Sequence, residues 1–103
     1  MINPDIVFDA VCAESGLTRR QLRSASRLYR IVAARMLVML LLYREGYHDS
    51  RIAFLLDRAR CTVTLQRHRA MGYLATDKLF LKRYESLKQT IEDAKRQPST
   101  QSL

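Results

Sequence analysis

Two clusters of arginine are the feature of this sequence whose residue type and spacing could do chemistry. Six arginines and no acidic residue lie between Arg19 and Arg35, and four arginines and no acidic residue lie between Arg58 and Arg69. A guanidinium group is charged at physiological pH and binds phosphate through a fork of N–H donors. Because no acid within either cluster can neutralise it, the pattern favours contact with a polyanion over an ordinary solvated face.

The composition of the chain points the same way. Its 103 residues carry a formal net charge of +8, and its pI is about 10.1, which indicates nucleic acid or an anionic membrane surface as a partner. The longest apolar run, residues 36–43, is shorter than the roughly 20 residues that cross a bilayer, and no secretory signal is recognisable. Cys12 and Cys61 form neither a metal motif nor a disulfide framework. We therefore expect a cytoplasmic, nucleoid-associated protein.

Helical periodicity and capping residues predict a compact all-α domain of about six helices over residues 1–96, followed by a disordered polar tail over residues 97–103. Asn3 with Pro4 starts the first helix and Gly16 ends it. Thr18 with Gln21 forms a capping box for a short second helix. A third helix, over about residues 27–45, carries the apolar stripe expected at the centre of the core. That stripe consists of Ile31, Ala34, Val38, Leu41 and Leu42.

A helix-turn-helix is predicted in the second half of the chain. Asp49 is expected to cap a short fourth helix, and a turn at residues 57–60 leads into a fifth helix over about residues 61–73. In a helix-turn-helix the second helix enters the major groove of DNA, although two packed helices of an ordinary bundle give the same pattern. Thr76 is expected to cap a sixth helix. The apolar face of that helix carries Phe80, Tyr84, Leu87 and Ile91.

The fifth helix has two distinguishable sides in the sequence. Leu65, His68 and Met71 recur about once per turn and are predicted to form its buried side. Thr62 and Gln66, one turn apart, could bond to base edges, and Val63 could pack on a thymine methyl group. An ordinary polar helix face is the alternative. The predicted exposed side and leading end comprise Arg60, Cys61, Thr62, Val63, Gln66, Arg67 and Arg69.

Both arginine-bearing segments together resemble the carboxy-terminal DNA-binding domain of the bacterial replication initiator DnaA, over about residues 6–92. That family carries a basic loop leading into a helix, of the form S-K-S-R-x-R-x-I-V-x-A-R, and residues 24–35 here read S-A-S-R-L-Y-R-I-V-A-A-R. The preceding segment V-C-A-E-S-G-L-T-R-R-Q-L is similar to the family's first two helices. The resemblance identifies the chain as a divergent, stand-alone relative of that domain.

The resemblance implies roles for three residues. Arg27 matches the loop arginine that enters the minor groove, where narrow A·T-rich segments concentrate negative potential; a solvated arginine that caps the turn is the alternative. Arg35 matches an arginine near the DNA backbone, with an internal ion pair to Asp57 or Asp49 as the alternative. Thr62 matches a base-reading residue of the family signature R-D-H-[ST]-T-V-L.

Much of that signature is replaced in this chain. Its Arg, Asp and His are Ala59, Arg60 and Cys61 here, while the Lys and one Arg of the basic loop are Ala25 and Tyr29. The charge for backbone contact is retained and most base-reading residues are changed. We therefore expect duplex binding that is selective for a site other than the standard initiator box. No G-x-x-x-x-G-K phosphate loop is present, so ATPase activity or dimerisation would come from a protein partner.

The predicted function is double-stranded DNA binding in replication initiation or regulation, without enzymatic activity, cofactor, metal or small-molecule substrate. An alternative is a helical adaptor with a decayed DNA surface, in which Leu28, Tyr29 and Val63 contact a protein. A binder of anionic membranes would need a basic amphipathic helix, and the sequence supports that least. The predicted DNA contacts are Arg23, Ser26, Arg27, Arg30, Arg35, Arg58, Arg60, Cys61, Thr62, Val63, Gln66, Arg67 and Arg69.

Overall fold

The computed structural model describes residues 2–96, and within that range the chain forms six α-helices and no strand. The predicted all-α domain of about six helices is confirmed. The predicted polar tail, residues 97–103, lies outside the described residues. The helices are α1 (Pro4–Ser15), α2 (Arg19–Arg23), α3 (Tyr29–Arg44), α4 (Asp49–Leu56), α5 (Arg60–Thr76) and α6 (Lys78–Lys95).

The first two helices begin and end as their sequences predict. The side chain of Asn3 accepts the N–H of Asp5 at 2.9 Å, and Gly16 ends α1 in the left-handed region with φ of 73°. At α2 the hydroxyl of Thr18 accepts the N–H of Gln21, and the Gln21 side chain accepts the N–H of Thr18 in return. Both arrangements satisfy backbone groups that a helix end would otherwise leave unpaired.

Helix α3 is the centre of the core. Residues 33–42 are all buried, and α3 packs against each of the other five helices. The predicted stripe of Ile31, Ala34, Val38, Leu41 and Leu42 is buried throughout, and Met36 and Met39 fill space around it. Apart from Arg35, residues 33–42 are apolar on all sides of the helix, which is typical of a helix surrounded by protein.

Two predicted helix caps are wrong. Asp49 is the first residue of α4, and its carboxylate binds Thr64 and Arg67 of α5 while no side chain caps α4. The sixth helix is capped by Asp77, whose carboxylate accepts the N–H of Phe80 at 3.0 Å. The hydroxyl of Thr76 instead donates to the carbonyl of Gly72 within α5. Asp49 does not cap α4 because its carboxylate is bound by residues of α5. Thr76 does not cap α6 because the next residue, Asp77, does.

The buried side predicted for α5 is also wrong. Leu65 and Met71 are 53% and 52% exposed, and His68 is exposed as well. The side that faces α3 and α4 instead carries Val63 and Ala70, both fully buried, with Arg67 at 6% exposure between them. Periodicity favours the stripe with Leu65 and Met71 because the other stripe includes the charged Arg67. Its partners, Asp49 and Tyr43, lie on other helices.

Helices α4 and α5 form the predicted helix-turn-helix arrangement. Residues 57–59 join them, and Asp57 adopts the left-handed conformation with φ of 55° and ψ of 51°. The N–H of Arg58 donates to the carbonyl of Ala53 and closes the end of α4. This tight turn places the first residues of α5 next to the loop between α2 and α3. Among the described residues, no helix is long and apolar enough to cross a membrane.

Candidate nucleic-acid interface

Arg35 of α3 fixes the loop between α2 and α3, residues 24–28, through hydrogen bonds to the backbone. The Arg35 side chain is 3% exposed, and its guanidinium donates to three backbone carbonyls of the preceding segment. Nε donates to Leu22 at 2.9 Å, and Nη2 donates to Ser24 at 2.9 Å and to Ser26 at 3.2 Å. A planar group with several N–H donors can tie a loop in this way because its donors point in fixed directions.

A second arginine ties the helix-turn-helix to the same loop. Nη2 of Arg58 donates to the carbonyl of Ser24, and Nη1 donates to the carbonyl of Asp57. Within the loop, the N–H of Ser26 donates to the hydroxyl of Ser24 at 3.3 Å, and the N–H of Leu28 donates to the hydroxyl of Ser26 at 3.2 Å. The loop and the start of α5 therefore form one continuous surface rather than two independent ones.

An open cleft of about 480 Å³ lies between the loop and α5. Ser26 and Arg27 line its loop side, while Arg58, Thr62 and Gln66 line the side of the helix-turn-helix. Oε1 of Gln66 is buried without a hydrogen-bond partner, the one such side-chain atom in the described part of the chain. A buried acceptor without a partner is destabilising, so a ligand donor that reached this amide would gain a bond that the protein does not supply.

Seven exposed or half-buried arginines of the two sequence clusters have no acidic partner within the described range. Arg27 and Arg58 line the cleft, and Arg20 and Arg23 line openings next to it. We call the set of seven the arginine surface, and it consists of Arg20, Arg23, Arg27, Arg30, Arg58, Arg60 and Arg69. Each of these side chains is exposed or half-buried, and no carboxylate of residues 2–96 lies within 4.0 Å of its nitrogen atoms. Arg69 follows Thr62 and Gln66 along the same side of α5 at helical spacing. The positive charge of the arginine surface is therefore not neutralised within the described part of the chain.

Most other basic side chains lie in ion pairs away from this surface. Arg83 donates to both carboxylate oxygens of Glu14, and Arg44 and Lys95 share Glu45 and Glu92. The acids of α1 and α6 are thus used where they neutralise nearby bases. Among residues 2–96, ten exposed or half-buried arginine and lysine side chains have no carboxylate within 4.0 Å: the seven of the arginine surface, and Arg51, Lys78 and Lys82.

The arginine surface also includes the starts of two helices. Leu28 precedes α3 and Ala59 precedes α5, and neither side chain caps its helix. The first N–H groups of these helices have no side-chain acceptor, and the helix dipole adds a partial positive charge there. Helix termini and arginines therefore contribute to the same positive field.

Three of the predicted DNA contacts do not belong to the exposed surface. Val63 is fully buried, Arg67 is 6% exposed, and Arg35 is 3% exposed. Arg35 forms neither of the predicted ion pairs, since its partners are carbonyls. Arg67 is bound by Asp49 and stacks on the ring of Tyr43, with its Cζ 3.7 Å from the ring centroid. Val63 and Arg67 are part of the packing beneath the cleft, while Arg35 lines the cleft but has little accessible surface.

The other predicted contacts are exposed or half-buried, and five of them, Ser26, Arg27, Arg58, Thr62 and Gln66, line one cleft. Arg23 and Arg27 are exposed on α2 and the loop, while Ser26 is half-buried at the cleft. Cys61 is exposed in the first turn of α5. The prediction omitted Arg20, which lies beside Arg23 and Asp57 in an opening next to the cleft. Its only signal in the sequence was its place within the first arginine cluster.

Burial and electrostatics shift the pKa values of the two internal arginines in opposite directions. Burial, and to a smaller extent the charge of Arg58, lowers the pKa of Arg35 to about 10. Its guanidinium therefore remains charged at neutral pH. The hydrogen bond to Asp49 raises the pKa of Arg67, and the reciprocal bond from Arg67 lowers the pKa of the Asp49 carboxyl. The Asp49–Arg67 pair is consequently fully ionised under physiological conditions.

The geometry and charge suit an anionic ligand, whereas a metal centre has no basis in the described residues. Residues 2–96 contain no group of three histidine, cysteine or acidic side chains that could hold a metal ion.

No protein-family model matches the chain, and a search of curated proteins found no match. The resemblance to the DnaA domain therefore stays a prediction that depends on the residues quoted for it.

Proposed function

We propose that the protein binds double-stranded DNA through the arginine surface, with the start of α5 in the major groove and Arg27 of the loop in the adjacent minor groove. The observation that carries this proposal is a cleft lined by Arg27, Arg58, Thr62 and Gln66, next to openings lined by Arg20 and Arg23. None of these four arginines has a carboxylate partner among residues 2–96. Roles in replication initiation or in regulation fit such a module.

The stiffness of the loop supports this proposal. Phosphate contacts set the register of a protein on DNA, and base contacts then provide sequence information. Both require donors at fixed positions. Arg35 and Arg58 fix the loop to α3 and to the turn before α5, so the two parts of the surface would meet adjacent grooves as one body.

The available side chains also support selectivity for sequence. Thr62 and Gln66 line the cleft on α5, and hydroxyl and amide groups bond to base edges in the major groove. Arg60, exposed in the first turn, has donors that match the two acceptors of guanine. A site different from the standard initiator box follows from this set, because the family's acidic and histidine positions are Arg60 and Cys61 here.

Selection from a random duplex library, followed by fluorescence anisotropy across a salt series, tests the proposal. Neutralising about six phosphates should give a slope of log K against log salt of about −5. An enriched motif together with this slope would support a selective DNA reader. A steep slope without a motif would mean that the surface binds the backbone only.

Matched variants distinguish the arginine surface from net charge. Arg27→Ala should weaken binding to all duplexes, most strongly at A·T-rich sites, and reduce the salt slope by about one. Arg96→Ala is the control, because Arg96 is exposed at the end of α6 and pairs with Asp93. Equal effects of both substitutions, or no binding at about 50 mM salt, would contradict the proposal and favour the helical adaptor.

A further inference from the structure

Leu28 occupies a position that local structure does not explain. It is the residue before α3, where Ser, Thr, Asp or Asn would accept a backbone N–H, and its side chain makes no such bond. It is also 64% exposed, so it contributes little to the core. A leucine here neither caps the helix nor buries its own apolar surface.

The backbone nevertheless holds Leu28 firmly. Its N–H donates to the hydroxyl of Ser26, and its carbonyl accepts the N–H groups of Ile31 and Val32 at 3.0 and 2.9 Å. The loop before it is tied to Arg35. A large apolar side chain is therefore kept in solvent at a fixed place, although the chain could have used a polar residue there.

The neighbours of Leu28 indicate what the side chain meets. Arg27 precedes it and Arg30 follows within one turn, and neither has a carboxylate partner among the described residues. Tyr29 is 74% exposed, but it also lines an apolar pocket of the protein together with Met36 and Phe80. Leu28 is thus an aliphatic side chain at the end of the loop that is exposed next to arginines without carboxylate partners within residues 2–96.

We propose that Leu28 is a wedge that inserts between two adjacent base pairs from the minor groove, next to the site of Arg27. This inference rests on the proposed function. Minor-groove proteins insert Leu, Ile, Phe or Met between base steps, which partly unstacks them and bends the duplex by about 20–90°. Pyrimidine–purine steps unstack most easily, so the wedge would add selectivity at a step that no hydrogen bond reads.

The test uses the full chain with a duplex of about 30 base pairs obtained by selection or, if no motif is enriched, an A·T-rich duplex with a central TA step. Energy transfer between dyes on its two ends reports bending, and 2-aminopurine at the central step reports unstacking. The wild-type protein should raise both signals when it binds. Leu28→Ser should lose most of both increases.

The same substitution should improve the fold. Serine is a preferred capping residue, and a gained cap should raise Tm by about 4 °C. Leu79→Ser is the matched control, because Leu79 is 69% exposed on the first turn of α6 outside the arginine surface; it should leave bending unchanged. A more stable Leu28→Ser protein that still binds but no longer bends DNA would support the wedge.

The outcomes separate the two proposals. Binding by the wild-type protein without bending, or equal bending by Leu28→Ser, would overturn the wedge and leave DNA binding intact; Leu28 would then belong to a protein contact. No binding by the wild-type protein at about 50 mM salt would overturn the proposed function and the wedge together.

Discussion

The guanidinium of Arg67 is bound by both carboxylate oxygens of Asp49, with Nε 2.8 Å from Oδ1 and Nη2 2.9 Å from Oδ2. The two side chains are 8% and 13% exposed. Asp49 begins α4 and Arg67 lies in the middle of α5, so the pair fixes the crossing of the two helices. It also explains why an arginine can occupy the buried face of α5: its charge and donors are satisfied there.

Loss of this pair should destabilise the fold without removing a surface charge from the DNA side. Asp49→Asn keeps an acceptor for the hydroxyl of Thr64 but gives up the bidentate charged interaction. We expect the free energy of unfolding at pH 7 to fall by about 2 kcal/mol, as measured by urea denaturation. Arg67→Lys should have a similar effect, because an ammonium group cannot bind both oxygens in the same geometry.

The same pair predicts how stability depends on pH. The bond from Arg67 lowers the pKa of Asp49 below its ordinary value of 3.8 in the folded protein. Its stabilisation is therefore fully present above pH 3.8 and is lost as the pH falls through the lower folded value. The difference in stability between wild type and Asp49→Asn should shrink towards about pH 2. A difference that stays constant from neutral pH to that point would contradict an ionic origin.

The wrong cap at Asp49 and the wrong buried side of α5 share a physical cause, the ion pair between Asp49 and Arg67. Two stripes of α5 have helical spacing, and the one with the larger apolar residues, Leu65 and Met71, and no arginine is the one that periodicity favours for the buried side. The stripe that is buried includes Arg67, which becomes acceptable there only through Asp49 and Tyr43. Periodicity along one helix contains no information about partners on another.

The correct parts of the interpretation depend on local rules. The capping pairs at Asn3 and Thr18 and the left-handed Gly16 involve neighbours within a few residues. Helix α3 is predictable from its apolar stripe, although Arg35 interrupts it. The role of Arg35 was not predictable in the same way. Its acceptors are backbone carbonyls of α2 and the loop. Every residue has a backbone carbonyl, so no residue type in the sequence identifies these acceptors.

Arg35 should affect DNA binding only indirectly. Arg35→Lys keeps the charge but cannot reach the carbonyls of Leu22, Ser24 and Ser26 together, since an ammonium lacks the planar fork. We expect faster amide hydrogen exchange at residues 22–28, a loss of stability of about 2–3 kcal/mol, and weaker binding to every duplex. Unchanged exchange in the loop together with weaker binding would instead place Arg35 in direct contact with DNA.

Gln66 allows a test of base recognition that leaves the fold in place. Gln66→Met has nearly the same volume and removes the buried Oε1 that has no partner, so stability should be unchanged or slightly higher. Discrimination at one base position should fall by about 1–3 kcal/mol in a competition assay. Arg69→Gln, on the same side of α5, is the comparison and should weaken binding to all sequences alike. If Gln66→Met did the same, Gln66 would not read a base.

Asp57 is the acidic residue nearest to the arginine surface, and its removal should strengthen DNA binding. It lies in the left-handed conformation at the turn before α5 and lines an opening with Arg20 and Arg23. Asparagine tolerates that conformation equally well, so Asp57→Asn should keep the turn while removing a charge that repels phosphate. At about 6 Å in a water-like dielectric this repulsion is about 0.7 kcal/mol, which predicts a roughly threefold lower Kd at low salt.

Asp9→Asn is the control for this prediction. It removes the same charge from α1, where Asp9 lines another opening with Ala10 and Thr90. If the arginine surface is the binding face, only Asp57→Asn should tighten binding, and the gain should disappear as salt screens the charges. An equal gain in both variants would show that net charge alone governs affinity and would place DNA on no particular face.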